Sequence, residues 1–142
     1  MEELEVLEQA TGQRVQVVQN RWFQGNSWDQ EVYQYCKKHG IQYQCVIHLL
    51  TLHTLALTQL NNRSFWTLTG SPALLNHPHI RSLAATHDLT PEQTIYRIAQ
   101  LRGITPLCGS TSDTHMREAL SVEQVNFSGS GAVLAEIDRI LG

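Results

Sequence analysis

The chain has 142 residues, 42% of them hydrophobic and 16% charged, which is the size and composition of one globular domain. Its net charge of −3 and isoelectric point of about 6.1 argue against binding to nucleic acid or to an anionic membrane. The N-terminal MEELEVLEQ has no secretory-signal pattern, and no apolar run is long enough for a membrane span. Three cysteines without CxxC spacing, Cys36, Cys45 and Cys108, favour reduced thiols in the cytoplasm.

The hydrophobic pattern predicts strands that alternate with helices. The first half contains a helix at Glu2–Gln9, a strand at Val15–Phe23, a turn at Gln24–Ser27, a helix at Trp28–Lys38 closed by Gly40, and a strand from Ile41 to Gln44. The second half contains a helix pair at Ala73–Leu89 broken near Pro78, a helix from Pro91 to Gly103, a strand at Ile104–Gly109, and helices at Ser112–Leu120 and Ala132–Leu141. This order predicts an α/β fold with a parallel sheet.

The strongest local signal is Thr90-Pro91-Glu92-Gln93, an N-cap followed by proline at N1 and glutamine at N3. The helix that it starts is expected to turn four apolar residues towards the core. These residues are Ile95, Ile98, Ala99 and Leu101.

Ligands of parallel α/β folds bind beyond the carboxyl ends of the strands, so the residues that follow each strand are the candidates for function. Gln19 and Asn20 offer amides for a ligand, or they satisfy backbone groups. Phe65 and Trp66 offer rings for stacking, or they pack in the core. The Gly-Ser-Thr-Ser segment at 109–112 favours phosphate binding at a helix N-terminus, or it only caps the helix.

Other kinds of chemistry find little support in the sequence. His77-Pro78-His79 resembles a pair of metal ligands, but the proline interrupts the helix that would aim both rings together. His48 and His53 are five residues apart, on poorly matched helix faces. No Ser-His-Asp, HExxH or P-loop pattern is present, so we expect no bound metal.

A segment of different character, Cys45–Arg63, interrupts the predicted second strand. Without it the sequence reads GIQYQSFWTLTGSP, an uninterrupted strand and loop. An insertion inside a parallel strand breaks both its hydrogen-bond ladder and its register. The codons for Gln44-Cys45-Val46 and Asn62-Arg63 can carry 5′ and 3′ splice signals, which indicates a retained intron of the compact kind typical of fungal genes. The alternative is a real insert, unstructured or forming an amphipathic leucine helix.

Five segments together resemble the C-terminal part of the aldo-keto reductase family. These segments are VQVVQNRWF, EVYQYCKKHGI, YQ…SFWTLTGSP, TPEQTIYRIAQLRGI and CGSTSDTHMREAL. The resemblance runs from about Gln9 to Gly142 and excludes Cys45–Arg63. It implies that residues 1–142 form a partial domain, namely an incomplete (β/α)8 TIM barrel. The chain would supply about three parallel strands, which correspond to the sixth, seventh and eighth strands of the barrel. The same resemblance implies an NAD(P)H-dependent oxidoreductase that reduces a small carbonyl substrate to an alcohol.

The resemblance also implies which residues contact the cofactor. Gln19 would hydrogen-bond the nicotinamide carboxamide, and Phe65 stands where the family usually stacks a tyrosine. The loop by the pyrophosphate would contain Trp66, Thr67 and Leu68. Ser110, Ser112 and His115 would lie at the adenosine phosphate and Glu118 at the adenine.

Gly109, His115 and Ala119 replace a customary Lys, Arg and Asn. The loss of two cations weakens any preference for the 2′-phosphate that distinguishes NADP(H) from NAD(H). The resemblance itself implies NADP(H) as the cofactor, with NAD(H) as the alternative.

No residue of this chain matches the family's catalytic Asp, Tyr, Lys and His, which come from earlier strands. The resemblance therefore implies a chain that retains cofactor binding and does not catalyse turnover alone. The alternatives are a non-catalytic truncated or misannotated gene product, and a dinucleotide-binding fragment that associates with a complete reductase.

Overall fold

The computed structural model describes residues 2–46, 71–107 and 113–142, and these form seven α-helices around one three-stranded sheet. The helices are α1 (Glu2–Thr11), α2 (Gln30–His39), α3 (Pro72–Leu75), α4 (Pro78–Thr86), α5 (Pro91–Leu101), α6 (Asp113–Ser121) and α7 (Gly131–Leu141). The strands are β1 (Val17–Asn20), β2 (Gln42–Val46) and β3 (Thr105–Leu107). Two 3-10 helices, Gln24–Asp29 and Val122–Gln124, complete the described elements. The predicted alternation of strands and helices is confirmed.

The sheet is parallel and its strands lie in chain order, β1-β2-β3. Gln19 is paired with Gln44, and Gln44 with Thr105, so these three residues form one row across the sheet. β1 is shorter than the predicted Val15–Phe23, because Trp22 leaves the sheet and is fully buried in the core. β2 continues through Cys45 and Val46, so the first two residues of the predicted insertion complete the strand. Residues 47–63, the rest of that insertion, lie outside the described residues.

The strongest local signal for a helix start is confirmed at α5. The Thr90 hydroxyl accepts a hydrogen bond from the Gln93 backbone N–H at 3.2 Å. In return, the Gln93 side-chain oxygen accepts from the Thr90 N–H at 2.9 Å. Ile95, Ile98 and Ala99 are buried as predicted, but the inward placement of Leu101 is wrong, since its side chain is 53% exposed. Leu101 is the last residue of α5, so it lies at the end of the helix, beyond its buried turns.

The predicted helix at Trp28–Lys38 begins two residues later, because the chain first makes a left-handed turn. Ser27, Trp28 and Asp29 all have positive φ, between 50° and 57°. Trp28 is buried, its indole N–H donates to the Ile140 carbonyl at 3.1 Å, and its ring lies 5.1 Å from that of Trp22. This packing against the C-terminal helix holds the turn in a conformation that non-glycine residues rarely adopt.

The helices cover one face of the sheet and enclose the core with it. α2 packs against β2, α5 against β3, and α4 against both α5 and α7. The core contains side chains of α2, β2, α4, α5 and α7 and of the segments beside them. Its largest fully buried members are Trp22, Tyr43, Ile80, Leu83, Ile95, Ile104, Ile137 and Leu141. Among the described helices, the longest has 11 residues, and none combines the length and apolar character required to cross a membrane.

Candidate functional site

The exposed face of the sheet has a polar row that crosses it from the last-but-one residue of β1, through the middle of β2, to the first residue of β3. Gln19 of β1 is exposed, and Gln44 of β2 and Thr105 of β3 are half-buried beside it. Gln42 comes two residues before Gln44 in β2 and faces the same side of the sheet. Its amide donates to the Thr105 hydroxyl at 3.1 Å. Among the described residues, the Gln19 side chain has no hydrogen-bond partner. An amide offers a donor and an acceptor, so this row can bind a ligand that has both.

The opposite face holds a network that fixes the end of β1. One carboxylate oxygen of Asp29 accepts from the Tyr43 hydroxyl at 2.7 Å and from the Asn20 amide at 2.8 Å. The Asn20 side-chain oxygen also accepts from the Arg21 N–H at 3.0 Å. Of the two predicted amides, Asn20 therefore satisfies protein groups, while Gln19 is free to face a ligand. The network ties β1 to β2 directly beneath the polar row.

Burial determines the electrostatics of this network. Partial burial raises the pKa of the Asp29 carboxyl, and the hydrogen bonds from Tyr43 and Asn20 oppose that rise. Burial and the bond to Asp29 raise the pKa of the Tyr43 hydroxyl far above its usual range. Burial also raises the pKa of the free Cys45 thiol to about 12, and burial together with Asp29 raises that of free Cys36. Both thiols stay protonated at neutral pH, which makes them poor nucleophiles.

Only part of the predicted cofactor site falls within the described residues. Phe65, Trp66, Thr67, Leu68, Ser110 and Ser112 lie outside them, as does the side chain of His115, whose backbone is in α6. Glu118 is half-buried on α6, and its backbone carbonyl accepts from Ser121 Oγ at 2.8 Å. Gln19 and Glu118 thus lie at opposite sides of the sheet. Two strand spacings, about 10 Å, separate β1 from β3, so only an extended ligand could contact both sides.

The histidines within the described ranges have structural partners. The His77 ring accepts from the His79 backbone N–H at 3.3 Å and so caps α4. His87 lies 3.0 Å from the Ser130 hydroxyl and packs against Phe127. In residues 2–46, 71–107 and 113–142, no three His, Cys, Asp or Glu side chains are grouped to hold a metal ion. His48 and His53 lie outside these ranges.

Sequence reasoning missed Gln44, Thr105 and Asp29 as members of the site. A signal for Gln44 was present, since Gln42 and Gln44 alternate with the buried Tyr43 and Cys45 and must share one face. The pairing of Gln44 with Gln19 depends on the strand register, which no local pattern gives. Asp29 resembled an ordinary helix-start residue, and only the left-handed turn directs it to the strands.

Comparison with known proteins gives a likeness of structure alone. No family model and no curated protein matches the sequence. Among solved structures, an aldo/keto reductase from Brucella melitensis has a TM-score of 0.68 and 16% sequence identity over 98% of this chain. A mutant of Gox0644 in complex with NADPH has a TM-score of 0.64 and 21% identity over 94% of this chain. The chain spans 44% and 42% of the lengths of these two proteins.

At such low identity the likeness establishes the fold. The three parallel strands with their helices have the fold of part of an aldo-keto-reductase-like (β/α)8 barrel, as the sequence resemblance implied. Gln19 lies near the carboxyl end of β1, and barrels of this kind bind their ligands at the carboxyl ends of their strands.

Proposed function

We propose that this chain contributes the dinucleotide-binding part of an aldo-keto-reductase-like oxidoreductase. The observation that carries the proposal is the polar row across the open face of the parallel sheet, with Gln19 at its exposed end and near the carboxyl end of β1. The likeness of fold to a protein in complex with NADPH supports it. Bound NAD(P)H would supply the hydride that reduces a small carbonyl compound to an alcohol, with a proton going to the carbonyl oxygen.

The amide row fits one end of such a cofactor. The carboxamide of nicotinamide has one acceptor oxygen and two N–H donors, and the Gln19 amide offers the complementary groups. The Asp29 network under β1 holds the backbone of this strand end in place, because Asn20 is tied to Asp29 and Asp29 to Tyr43. The cofactor's adenosine end would lie towards β3 and α6, near Glu118. We propose NADP(H) as the cofactor, with NAD(H) as the alternative.

We further propose that the proton donor of the reaction comes from outside the described residues. Tyr43 donates to Asp29 on the covered face of the sheet, and its raised pKa opposes ionisation. Tyr33 is buried and donates to the Arg102 carbonyl at 2.8 Å. Neither hydroxyl faces the polar row. A positioned general acid typically contributes about 10²–10⁴-fold to rate, so the isolated chain should bind cofactor with little or no turnover.

Titration of the purified chain with NADPH, followed by cofactor fluorescence, tests the proposal. Gln19→Ala should weaken binding about two- to tenfold, the effect of one neutral hydrogen bond. Gln16→Ala is the matched control: it removes an exposed amide just before β1, at the other end of the strand from Gln19, and should leave affinity unchanged. Absence of binding at millimolar NADPH and NADH would refute the proposal, and so would equal effects of the two variants.

We also propose that Cys45–Arg63 is an insertion retained from an intron. The change of sequence character and the splice signals compatible with its two ends support this. Sequencing of the mature transcript tests it: messages that lack the segment and join Gln44 to Ser64 are expected. If every mature message encodes Cys45–Arg63, the segment is part of the protein proper.

A further inference from the structure

Six large apolar side chains of the described residues are exposed, and they belong to elements at two sides of the sheet. The β1 flank consists of Val6 and Leu7 of α1 and Val17 of β1, which are 61%, 53% and 46% exposed. The β3 flank consists of Leu101 at the end of α5 and of Met116 and Leu120 of α6, which are 53%, 40% and 73% exposed. Exposed apolar side chains mark an interaction surface where they adjoin an apolar groove or an unpacked helix face, whereas single scattered ones do not.

On the β1 flank, α1 is a helix whose apolar side has no buried residue. The Glu8 carboxylate accepts from the Val15 N–H at 3.0 Å and so ties the helix to the segment before β1. A helix of ten residues is marginal in water unless its apolar side packs against something. The exposed Val6 and Leu7 therefore offer a surface for another element.

On the β3 flank, a groove of about 480 Å³ runs beside the strand. Its walls are formed by α5, β3 and α6, and Ile104, Pro106, Ala119 and Leu120 supply its apolar lining. Leu120, the most exposed large apolar residue described, lies at its rim.

Both flanks lie where the described sheet ends, since β1 and β3 are its outer strands. The outer edge of a parallel strand carries backbone groups that can pair with a further strand. More than half of the Brucella melitensis reductase lies outside the part that aligns with this chain. A barrel of this architecture closes only with eight strands, each followed by a helix.

We propose that the two flanks are docking surfaces for additional β/α units on a polypeptide outside these 142 residues. The partner's strands would pair with the outer edges of β1 and β3. Its helices would cover Val6 and Leu7 on one side and fill the groove at Leu120 on the other. This interaction does not depend on cofactor binding.

Charge favours such a partner over a second copy of this chain. α1 carries four glutamates and no basic residue. α6 carries Asp113 and Glu118 against the single Arg117. A head-to-tail contact between two copies would place these two acidic helices on adjoining units, and two copies supply only six described strands. The fitting partner carries basic residues on the helix that faces α1.

Co-expression tests the proposal. The 142-residue chain carries an affinity tag and is produced together with a second polypeptide. That polypeptide is the part of the Brucella melitensis reductase that lies outside the aligned region. The purified complex is measured by size-exclusion chromatography with light scattering. A one-to-one complex is expected. Leu7→Asp and Leu120→Asp should each weaken association about tenfold or more, as for central interface residues. Ala85→Asp adds the same charge at an exposed position of α4 and should have no effect.

Two results would overturn the proposal. One is the absence of a complex, or a complex that the three variants affect equally. The other is self-association of the chain through the same flanks, seen by sedimentation, in a form that excludes the co-expressed partner. Each variant's circular dichroism melting curve checks that it is folded. NADPH is left out of all these measurements, so the absence of a complex would not contradict the proposed cofactor binding. Equally, the absence of cofactor binding would not contradict the proposed docking.

Discussion

The hydrogen bond from Tyr43 to Asp29 allows a test in which the effect of one hydroxyl depends on pH. Tyr43→Phe removes the O–H donor and keeps the ring, which packs edge-on against Tyr33 with centroids 5.9 Å apart. Asp29 then keeps only the Asn20 amide as a donor to the same oxygen. The variant therefore isolates one charged hydrogen bond within an otherwise unchanged core.

The magnitude follows from the charge and burial of the acceptor. A hydrogen bond to a charged group contributes about 1.5–3 kcal/mol. Asp29 is only half-buried, so water partly replaces the lost donor, and we expect a loss of about 1–2 kcal/mol near neutral pH. When the carboxyl is protonated the bond becomes a neutral one, and the loss should fall to about 0.5–1 kcal/mol.

Proton linkage predicts the same direction for the pH dependence of the Tyr43→Phe penalty. Because burial raises the folded-state pKa of Asp29, its contribution to stability is fully present below its unfolded pKa and is lost as pH rises through the folded value. The Tyr43 hydroxyl is one of the groups that lower this pKa. Its removal raises the pKa further, so the variant loses more stability than the wild type as pH rises from acid to neutral.

The assay is urea unfolding followed by tryptophan fluorescence, with wild type and variant compared near pH 4 and near pH 7. Tyr33→Phe is the control, since its hydroxyl donates to the neutral Arg102 carbonyl and its loss should cost the same at both pH values. A Tyr43→Phe penalty that stays constant or shrinks as pH rises would show that Asp29 is not an ionised acceptor in the folded protein.

Two further predictions concern local backbone signals and use the same unfolding assay. Thr90→Ala removes the cap of α5 and should destabilise the protein by about 1 kcal/mol. Thr90→Ser, the control, should retain most of the stability. An unchanged stability of the alanine variant would contradict the capping role. Gly40→Ala places a Cβ at φ +66° after α2, where no neighbouring atom lies within 4 Å, and should cost about 1–2 kcal/mol from backbone strain alone. Gly131→Ala, at a residue without positive φ, should instead stabilise by up to about 1 kcal/mol, and equal effects of the two glycine variants would refute the strain argument.

Much of the fold was predictable from sequence because its signals are local. The capped start at Thr90, the break near Pro78 and the left-handed Gly40 each depend on residues that are adjacent in the chain. The alternation of strands and helices was then sufficient to predict a parallel sheet.

Features that depend on distant contacts were not predictable. Trp28 has helical spacing with the residues that follow it, yet it lies in a left-handed turn because its indole donates to Ile140, 112 residues away. For the site, the resemblance to a family supplied Gln19, whereas its pairing with Gln44 needed the register of the sheet. The role of Asp29 needed both the turn and the packing of Tyr43.

β2 extends through Cys45 and Val46, the first two residues of the segment proposed to be a retained intron. In a shorter translation product that joins Gln44 to Ser64, serine and phenylalanine would take these two places. The place of Cys45 is fully enclosed between Asn20 and Pro106, where a protonated thiol needs no partner but a hydroxyl does. The thiol of Cys45 therefore suits this enclosed place better than the hydroxyl of a serine would.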